Sequence, residues 1–392
     1  MPDASRHLRP RGEGAQAVTA VELFFDLVYV FAVTQLSHLI LDDLSLRGVA
    51  EAGFLLLVVW WAWINTMWMA NWFDPDSPSI RVVLTAGMLA SLLMAAALPD
   101  ALGQHGLLFA GGYVVLQVGR NAAAALHLPR GDRLRDVFER LVSWSAASGV
   151  LWLAGAALSD GRRLLLWTPA LALDLGAPAA GYWLPGRGHA VTTDYDVEGG
   201  HFAERCQLFI IIALGESIVV TGATASAAGL TMTVLLCLVV AFVETAALWW
   251  VYFGATAEHA RAAMRSSEDP GRLARDAYTY GHLPIVAGII ATAVGQDLLI
   301  AHPEQALHGV GIAMVLGGPG LFLLGETLFR RRITGTWNRE RLAALGLLVV
   351  LLPLAAHISV LLLSAIATSV LIALASSQKR VAARLAHDAV GQ

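Results

Sequence analysis

Lysine is nearly missing from this chain: Lys379 stands alone beside 25 arginines. A Walker A loop needs a lysine next to its phosphate-cradling glycines, so that kind of nucleotide-binding site is excluded. A Schiff-base lysine inside an apolar segment is excluded for the same reason. Cysteine is scarce, with Cys206 and Cys237 as the only two, both in apolar runs. They read as small core residues rather than a disulfide. Charge is also scarce: 14% of residues are Asp, Glu, Lys or Arg, where a soluble globular domain carries about 25%. No basic tract with interleaved aromatics is present, so no nucleic-acid partner is expected. There is no HExxH, no cysteine-pair metal signature and no Gly-x-Ser-x-Gly elbow. No metal, cofactor or catalytic residue is therefore assigned.

What is abundant is apolar sequence, 57% of the chain. A membrane-spanning helix needs about 20 such residues. The pattern predicts an all-α polytopic membrane bundle of about twelve transmembrane helices, at 19–41, 49–70, 80–98, 105–127, 138–158, 163–184, 203–224, 229–253, 277–299, 305–329, 341–355 and 358–377. Only Pro353 and Ala355-Ala356-His357 mark a break between the last two, which also read as one long bent helix. The first apolar run begins with acids and lacks a small-residue cleavage site, so it is expected to be a retained span.

Placing the N-terminus in the cytoplasm puts 23 of the 26 Lys and Arg on that side and leaves Arg47, Arg162 and Arg163 outside. The positive-inside rule favours this topology, with both termini cytoplasmic and an even number of spans. The polar segment 1–17 is expected to be disordered, 18–184 to form a first six-helix half, 185–202 a cytoplasmic linker, 203–378 a second half, and 379–392 a cytoplasmic tail. The halves echo each other. Glu22 and Glu204 each open a first span, Trp60-Trp61 and Trp249-Trp250 follow, and Leu98-Pro99-Asp100-Ala101-Leu102 resembles Gly295-Gln296-Asp297-Leu298-Leu299. Six spans per half would give a 6+6 parallel pseudo-repeat, as occurs in secondary transporters. Tryptophans at span ends (Trp60-Trp61, Trp68, Trp72, Trp249-Trp250 and Trp337) read as interface anchors or as the lining of a solute path.

Charge inside a span is costly and marks function by default. The acids are Glu22, Asp26, Asp174, Glu204, Glu216, Glu244 and Glu326, set against Arg120 and Arg205. Seven acids facing two bases in a low dielectric cannot all be ionised, so some are expected to hold protons. Thr19-Ala20-Val21-Glu22 reads as a capping box, which makes Glu22 a helix-start acid. Asp26 lies one turn deeper, where no cap explains it. Arg205, beside Glu204, is a candidate partner for an acid of the first span. Arg120, with Gln117 and Asn121 near it, is a candidate counter-ion for Asp26 or an anion contact. Glu216 lies near mid-span beside Ser217, Thr221 and Thr224, and Asp174 lies between Pro169 and Pro178. Glu326 has Arg330 one turn on for an ordinary helix pair. Gly317-Gly318-Pro319-Gly320 is either a helix break or a site of close packing. His201, Glu204, Asp194 and Asp196 could gather on a metal, although a solvated loop is the simpler reading.

Two motifs carry a family resemblance. Glu22-Leu23-Phe24-Phe25-Asp26-Leu27-Val28-Tyr29-Val30-Phe31-Ala32-Val33-Thr34-Gln35-Leu36 resembles the opening signature of the bacterial low temperature requirement A family, LtrA. His201-Phe202-Ala203-Glu204-Arg205 running into Leu214-Gly215-Glu216-Ser217-Ile218 is the second match. The resemblance implies a bacterial plasma-membrane protein linked by name to growth in the cold, and it implies no substrate and no catalytic residue.

The residues together point to a proton- or cation-coupled secondary transporter of a small solute. Asp26, Asp174 and Glu216 are the coupling or binding acids. Glu22, Arg120, Glu204, Arg205 and Glu244 are their charge partners. A membrane enzyme of lipid modification, or a sensor that transports nothing, is the alternative.

Overall fold

The computed structural model describes residues 7–9, 17–159, 161–190, 197–254, 263–264 and 267–390, with side chains through 378. Among these residues the chain is helical, with no strand beyond two isolated β-bridges. The helices are α1 (Ala20–Asp42), α2 (Leu46–Trp72), α3 (Pro78–Ala97), α4 (Gly106–Val114), α5 (Arg120–Leu126), α6 (Arg133–Ala156), α7 (Arg163–Gly176), α8 (Gly199–Ala228), α9 (Met232–Phe253), α10 (Pro270–Leu273), α11 (Leu283–Ala301), α12 (Val310–Val315), α13 (Gly317–Thr334), α14 (Arg339–Ala355) and α15 (Val360–Val390).

Local chemistry sets their ends. Thr19 and Glu22 form the expected reciprocal cap on α1, with Thr19 N donating to Glu22 Oε2 at 2.9 Å and Glu22 N to Thr19 Oγ1 at 3.4 Å. Pro78 opens α3 at a position where a missing N–H costs nothing. Asp132, Thr231 and Asn338 cap α6, α9 and α14 through side-chain oxygens. Gly335, at φ 72°, closes α13 in the left-handed region.

Among the described residues, eight helical stretches are long and apolar enough to cross a membrane: α1, α2, Pro78–Asp100, α8, α9, Pro270–Ala301, Val310–Thr334 and Val360–Gln378. The other four expected spans also fold as helices but fall short of that test. The run predicted at 105–127 is α4 and α5 joined through a π-helical turn, Val115–Gly119. Helix α6 opens on Arg133, Arg135, Asp136, Glu139 and Arg140. Helix α7 has 14 residues, about 21 Å at the α-helical rise, against a hydrocarbon core of roughly 30 Å. Helix α14 has 17 residues. The last two apolar runs are separate helices, α14 and α15, with residues 356–359 between them. The segment expected to be disordered is placed at His7–Arg9, where Leu8 pairs with Phe73 and Arg9 N donates to Trp72 O at 2.9 Å.

The chain forms two compact units. Unit 1 comprises Met1–Leu36, Phe54–Arg205 and Ser267–Arg275, and unit 2 comprises Ser37–Gly53, Cys206–Ser266 and Asp276–Gln392. Unit 1 has an aromatic interior in which Trp152 packs against Tyr113 and Trp167 at ring-centroid distances of 5.1 Å. Trp60, Trp61 and Trp72 are also interior, so they are not interface anchors, whereas Trp249, Trp250 and Trp337 are exposed. Cys206 and Cys237 are buried in unit 2 and are not joined in a disulfide.

Unit 2 is built on a backbone-to-backbone contact between α11 and α13. A Cβ at Gly288 would stand 2.3 Å from Phe322 N, and one at Gly318 2.5 Å from Thr292 N. The glycine tetrad thus does two things: the helix breaks at Leu316, just before it, and Gly318 supplies close packing. Gly288→Ala is expected to lower stability in detergent by about 1–3 kcal/mol, the usual cost of overpacking. Gly320→Ala, where a Cβ meets nothing within 4 Å, is expected to leave it unchanged or raise it, as thermal unfolding would report.

Candidate functional site

Four formal charges and a histidine meet inside unit 1. Glu22 and Asp26 lie one turn apart on α1, so both face the same side. The first two turns of α8 bring His201 and Arg205, also one turn apart. Helix α8 begins there because the Glu198 carboxylate accepts from the backbone N–H groups of Gly200 and His201. Arg9 reaches the group from the N-terminal segment, its guanidinium steadied by Nε donating to Phe73 O at 3.3 Å. Glu22, Asp26, Arg9, His201 and Arg205 are all buried.

Glu22 is the centre of this group. Its Oε1 faces Arg205 Nη1 at 3.0 Å and His201 Nε2 at 2.9 Å. Its Oε2 faces Arg9 Nη2 at 2.7 Å and accepts from Thr19 Oγ1 at 3.0 Å. Asp26 Oδ1 accepts from Arg205 Nη2 at 2.6 Å and from Trp63 Nε1 at 2.8 Å. Asp26 Oδ2 is buried and has no hydrogen-bond partner among the described residues.

The protonation of His201 follows from donor and acceptor chemistry. Asn71 Oδ1 accepts from Glu198 N at 2.9 Å, and Asn71 Nδ2 donates to Glu198 O at 2.9 Å, which fixes the orientation of the amide. Nδ2 then lies 3.2 Å from His201 Nδ1. An amide nitrogen only donates, so His201 Nδ1 accepts and its Nε2 carries the hydrogen given to Glu22. His201 is neutral, and with both carboxyls ionised the two acids would balance the two arginines.

A second network lies in the same unit. Arg120 can only donate, so the Gln117 atom facing its Nη2 is Oε1. Gln117 Nε2 therefore donates to Tyr113 Oη at 3.1 Å, and Tyr113 donates to Asp174 Oδ2 at 2.8 Å, where Trp152 Nε1 also donates at 3.0 Å. The remaining Arg120 contacts are Thr66, Ala62 O and Asn121. Arg120 is thus not the counter-ion of Asp26. Arg205 lies closer and takes that place, while Arg120 and Asp174 stand at opposite ends of a one-way chain of donors.

The other acids are placed as follows. Glu204 is half-buried and makes no ion pair among the described residues. Glu216 is buried in unit 2, and the hydroxyls of Ser217 and Thr221 turn back onto helix carbonyls. Thr224 bonds instead to Asp297. Glu244 accepts from Gln296 at 3.1 Å. Glu326 pairs with Arg341 across a turn of chain. Asp194 and Asp196 lie outside the described residues. Among those described, no three His, Cys, Asp or Glu side chains could share a metal, and His201 is enclosed rather than in a solvated loop.

The model of the family described as bacterial low temperature requirement A protein, LtrA, matches residues 17–376. The chain belongs to the LtrA family. An uncharacterized protein of Rhizobium meliloti (strain 1021) is 39% identical over 315 residues, covering 80% of this chain and 76% of that protein. No solved structure matches. The two motifs that carry the LtrA resemblance supply opposite sides of one cluster: Glu22 and Asp26 from the first, His201 and Arg205 from the second.

In this LtrA-family chain, sequence reading passed over Arg9, Trp63 and Asn71. Only the positions of Trp63 within α2 and of the amide Asn71 at its C-terminal end, both on buried sides of the helix, could have suggested them. Arg205→Gln strands two carboxylates in the interior and is expected to cost about 3–5 kcal/mol. Removing Arg47, whose pair with Glu51 is exposed, is expected to change nothing measurable. Unfolding of the two variants in parallel checks this.

Proposed function

We propose that this LtrA-family protein is a proton-coupled secondary transporter of a small solute in the bacterial plasma membrane, with Asp26 as the coupling acid. The observation that carries the reading is the buried Asp26 Oδ2, an acceptor with no hydrogen-bond partner among the described residues, in a cluster of paired charges. A buried acceptor without a donor is costly, and a proton is the smallest group that relieves it.

The charge balance gives the coupling its direction. With Asp26 ionised, Glu22, Asp26, Arg9 and Arg205 cancel. A proton on Oδ2 leaves one net positive charge in a low-dielectric interior, and Arg205 loses half of its anionic contacts. A solute that brings a negative group offsets that charge, so proton and anion favour each other's binding. Asp174 and Glu216 belong to the reading as further binding acids. Twelve crossings arranged as halves 18–184 and 203–378, with both termini cytoplasmic, complete it. The distribution of arginine along the chain supports that topology.

The test is flux. Purified protein in liposomes carrying an internal pH dye is offered a panel of small anionic solutes under an inward proton gradient. Wild type is expected to show internal acidification that depends on a solute, and Asp26→Asn to abolish it while keeping the wild-type elution profile. Undiminished flux in Asp26→Asn removes Asp26 from the mechanism.

A further inference from the structure

Glu244 lies on α9 in unit 2 with its side chain buried. Its one hydrogen-bond partner among the described residues is the side-chain amide of Gln296 on α11, with Nε2 3.1 Å from Oε2. The same nitrogen lies 3.1 Å from Ala241 O and 3.1 Å from Thr245 Oγ1. An amide nitrogen carries two hydrogens, so three acceptors compete for two donors. Thr245 does not fill the gap, since its hydroxyl turns to Gln296 Oε1 at 3.4 Å. Glu244 thus shares its one N–H donor with two other acceptors.

The site is short of positive charge. Helices α11, α13 and α15 pack against α9. The titratable group of α11 is Asp297, which is bonded to Thr224. Helix α13 brings Glu326, engaged by Arg341, and Arg330, Arg331 and Arg332 toward its C-terminal end. Helix α15 carries no titratable residue between Val360 and Gln378, and α9 itself adds only Cys237 and Tyr252. Glu244 forms no ion pair among the described residues. A buried carboxylate facing a single neutral amide is far from compensated.

The partners differ in kind from those of Asp26. Arg205 and Trp63 can only donate, so they hold Asp26 Oδ1 as an acceptor. Gln296 and Thr245 can each donate or accept. A half-turn of the Gln296 amide presents Oε1 to a protonated carboxyl and Nε2 to an ionised one. The same pair of residues therefore satisfies Glu244 with or without its proton.

We propose that Glu244 is a second proton-binding site of this protein, located in unit 2, which takes its proton on Oε2, the oxygen that faces Gln296, and can release it. The proposal extends the transporter reading by a second proton, yet it rests on its own geometry.

Dicyclohexylcarbodiimide, an apolar reagent, tests it. A protonated carboxyl adds across the carbodiimide: its hydrogen goes to one nitrogen and its oxygen to the central carbon, and the adduct rearranges to a stable N-acylurea. Full-length protein in detergent is treated across a range of pH and mapped by mass spectrometry. Glu244 is expected to be modified at acid pH, with the rate falling about tenfold per unit above its midpoint. Gln296→Leu, which removes the donor to the ionised form, is expected to carry modification to higher pH, and this variant keeps the test open should Glu244→Gln fail to fold. Absence of the Glu244 adduct at every pH overturns the proposal, as does a rate independent of pH. Protection by sodium chloride relative to choline chloride overturns it in favour of a cation site. Labelling needs no transport, so failure here leaves the Asp26 flux test standing, and failure there leaves Glu244 standing.

Discussion

The fold of unit 1 depends on burying Glu22. One carboxylate is paired with two arginines and also engages a histidine and a threonine, drawn from the N-terminal segment, the cap of α1 and the start of α8. Each of these charges would be prohibitive alone in an apolar interior, and each is tolerable because the others are present. Removing any one leaves its partner uncompensated. The same logic explains why residues far apart in the chain, Arg9 and Arg205 among them, are drawn into one place.

Buried acids in this protein fall into two kinds, set by what their partners can do. Glu22, Asp174 Oδ2 and Asp26 Oδ1 face arginine, indole or a directed chain of donors, so those oxygens are held as acceptors. Asp26 Oδ2 and the Glu244 carboxyl are different. One has no partner among the described residues, and the other has partners that can reverse. Proton uptake is cheapest where the surroundings do not insist on an anion, and that criterion sets Asp26 Oδ2 and Glu244 apart from Glu22 without appeal to depth in the membrane.

Much of this was legible in the sequence. The long apolar runs gave a helical membrane protein, the Thr19–Glu22 spacing gave a cap, and the two motifs gave the family. An arginine beside Glu204 was expected to meet an acid of α1, and Arg205 meets both Glu22 and Asp26. Other features were hidden for physical reasons. Arg9 lies in a polar stretch whose composition suggests disorder, and what holds it is long-range contact with Trp72, Phe73 and Glu22. Trp63 and Asn71 look like ordinary residues of an apolar helix, because long-range pairing leaves no local periodicity. Twelve hydrophobic runs did not reveal that α7 stops after 14 residues. The Trp60-Trp61 pair looked like Trp249-Trp250, yet the first is interior and the second exposed. Position in the packed structure, not residue type, decides such cases.

The central claim is that the ion cluster has one site left for a proton, on Asp26. Infrared difference spectra of the full-length protein in lipid, recorded between neutral and acid pH, address it directly. Acidification should produce a protonated-carboxyl C=O stretch that is missing from the Asp26→Asn spectrum, while the guanidinium bands of the cluster shift in wild type alone. A carboxyl band of equal intensity in both proteins would contradict the account.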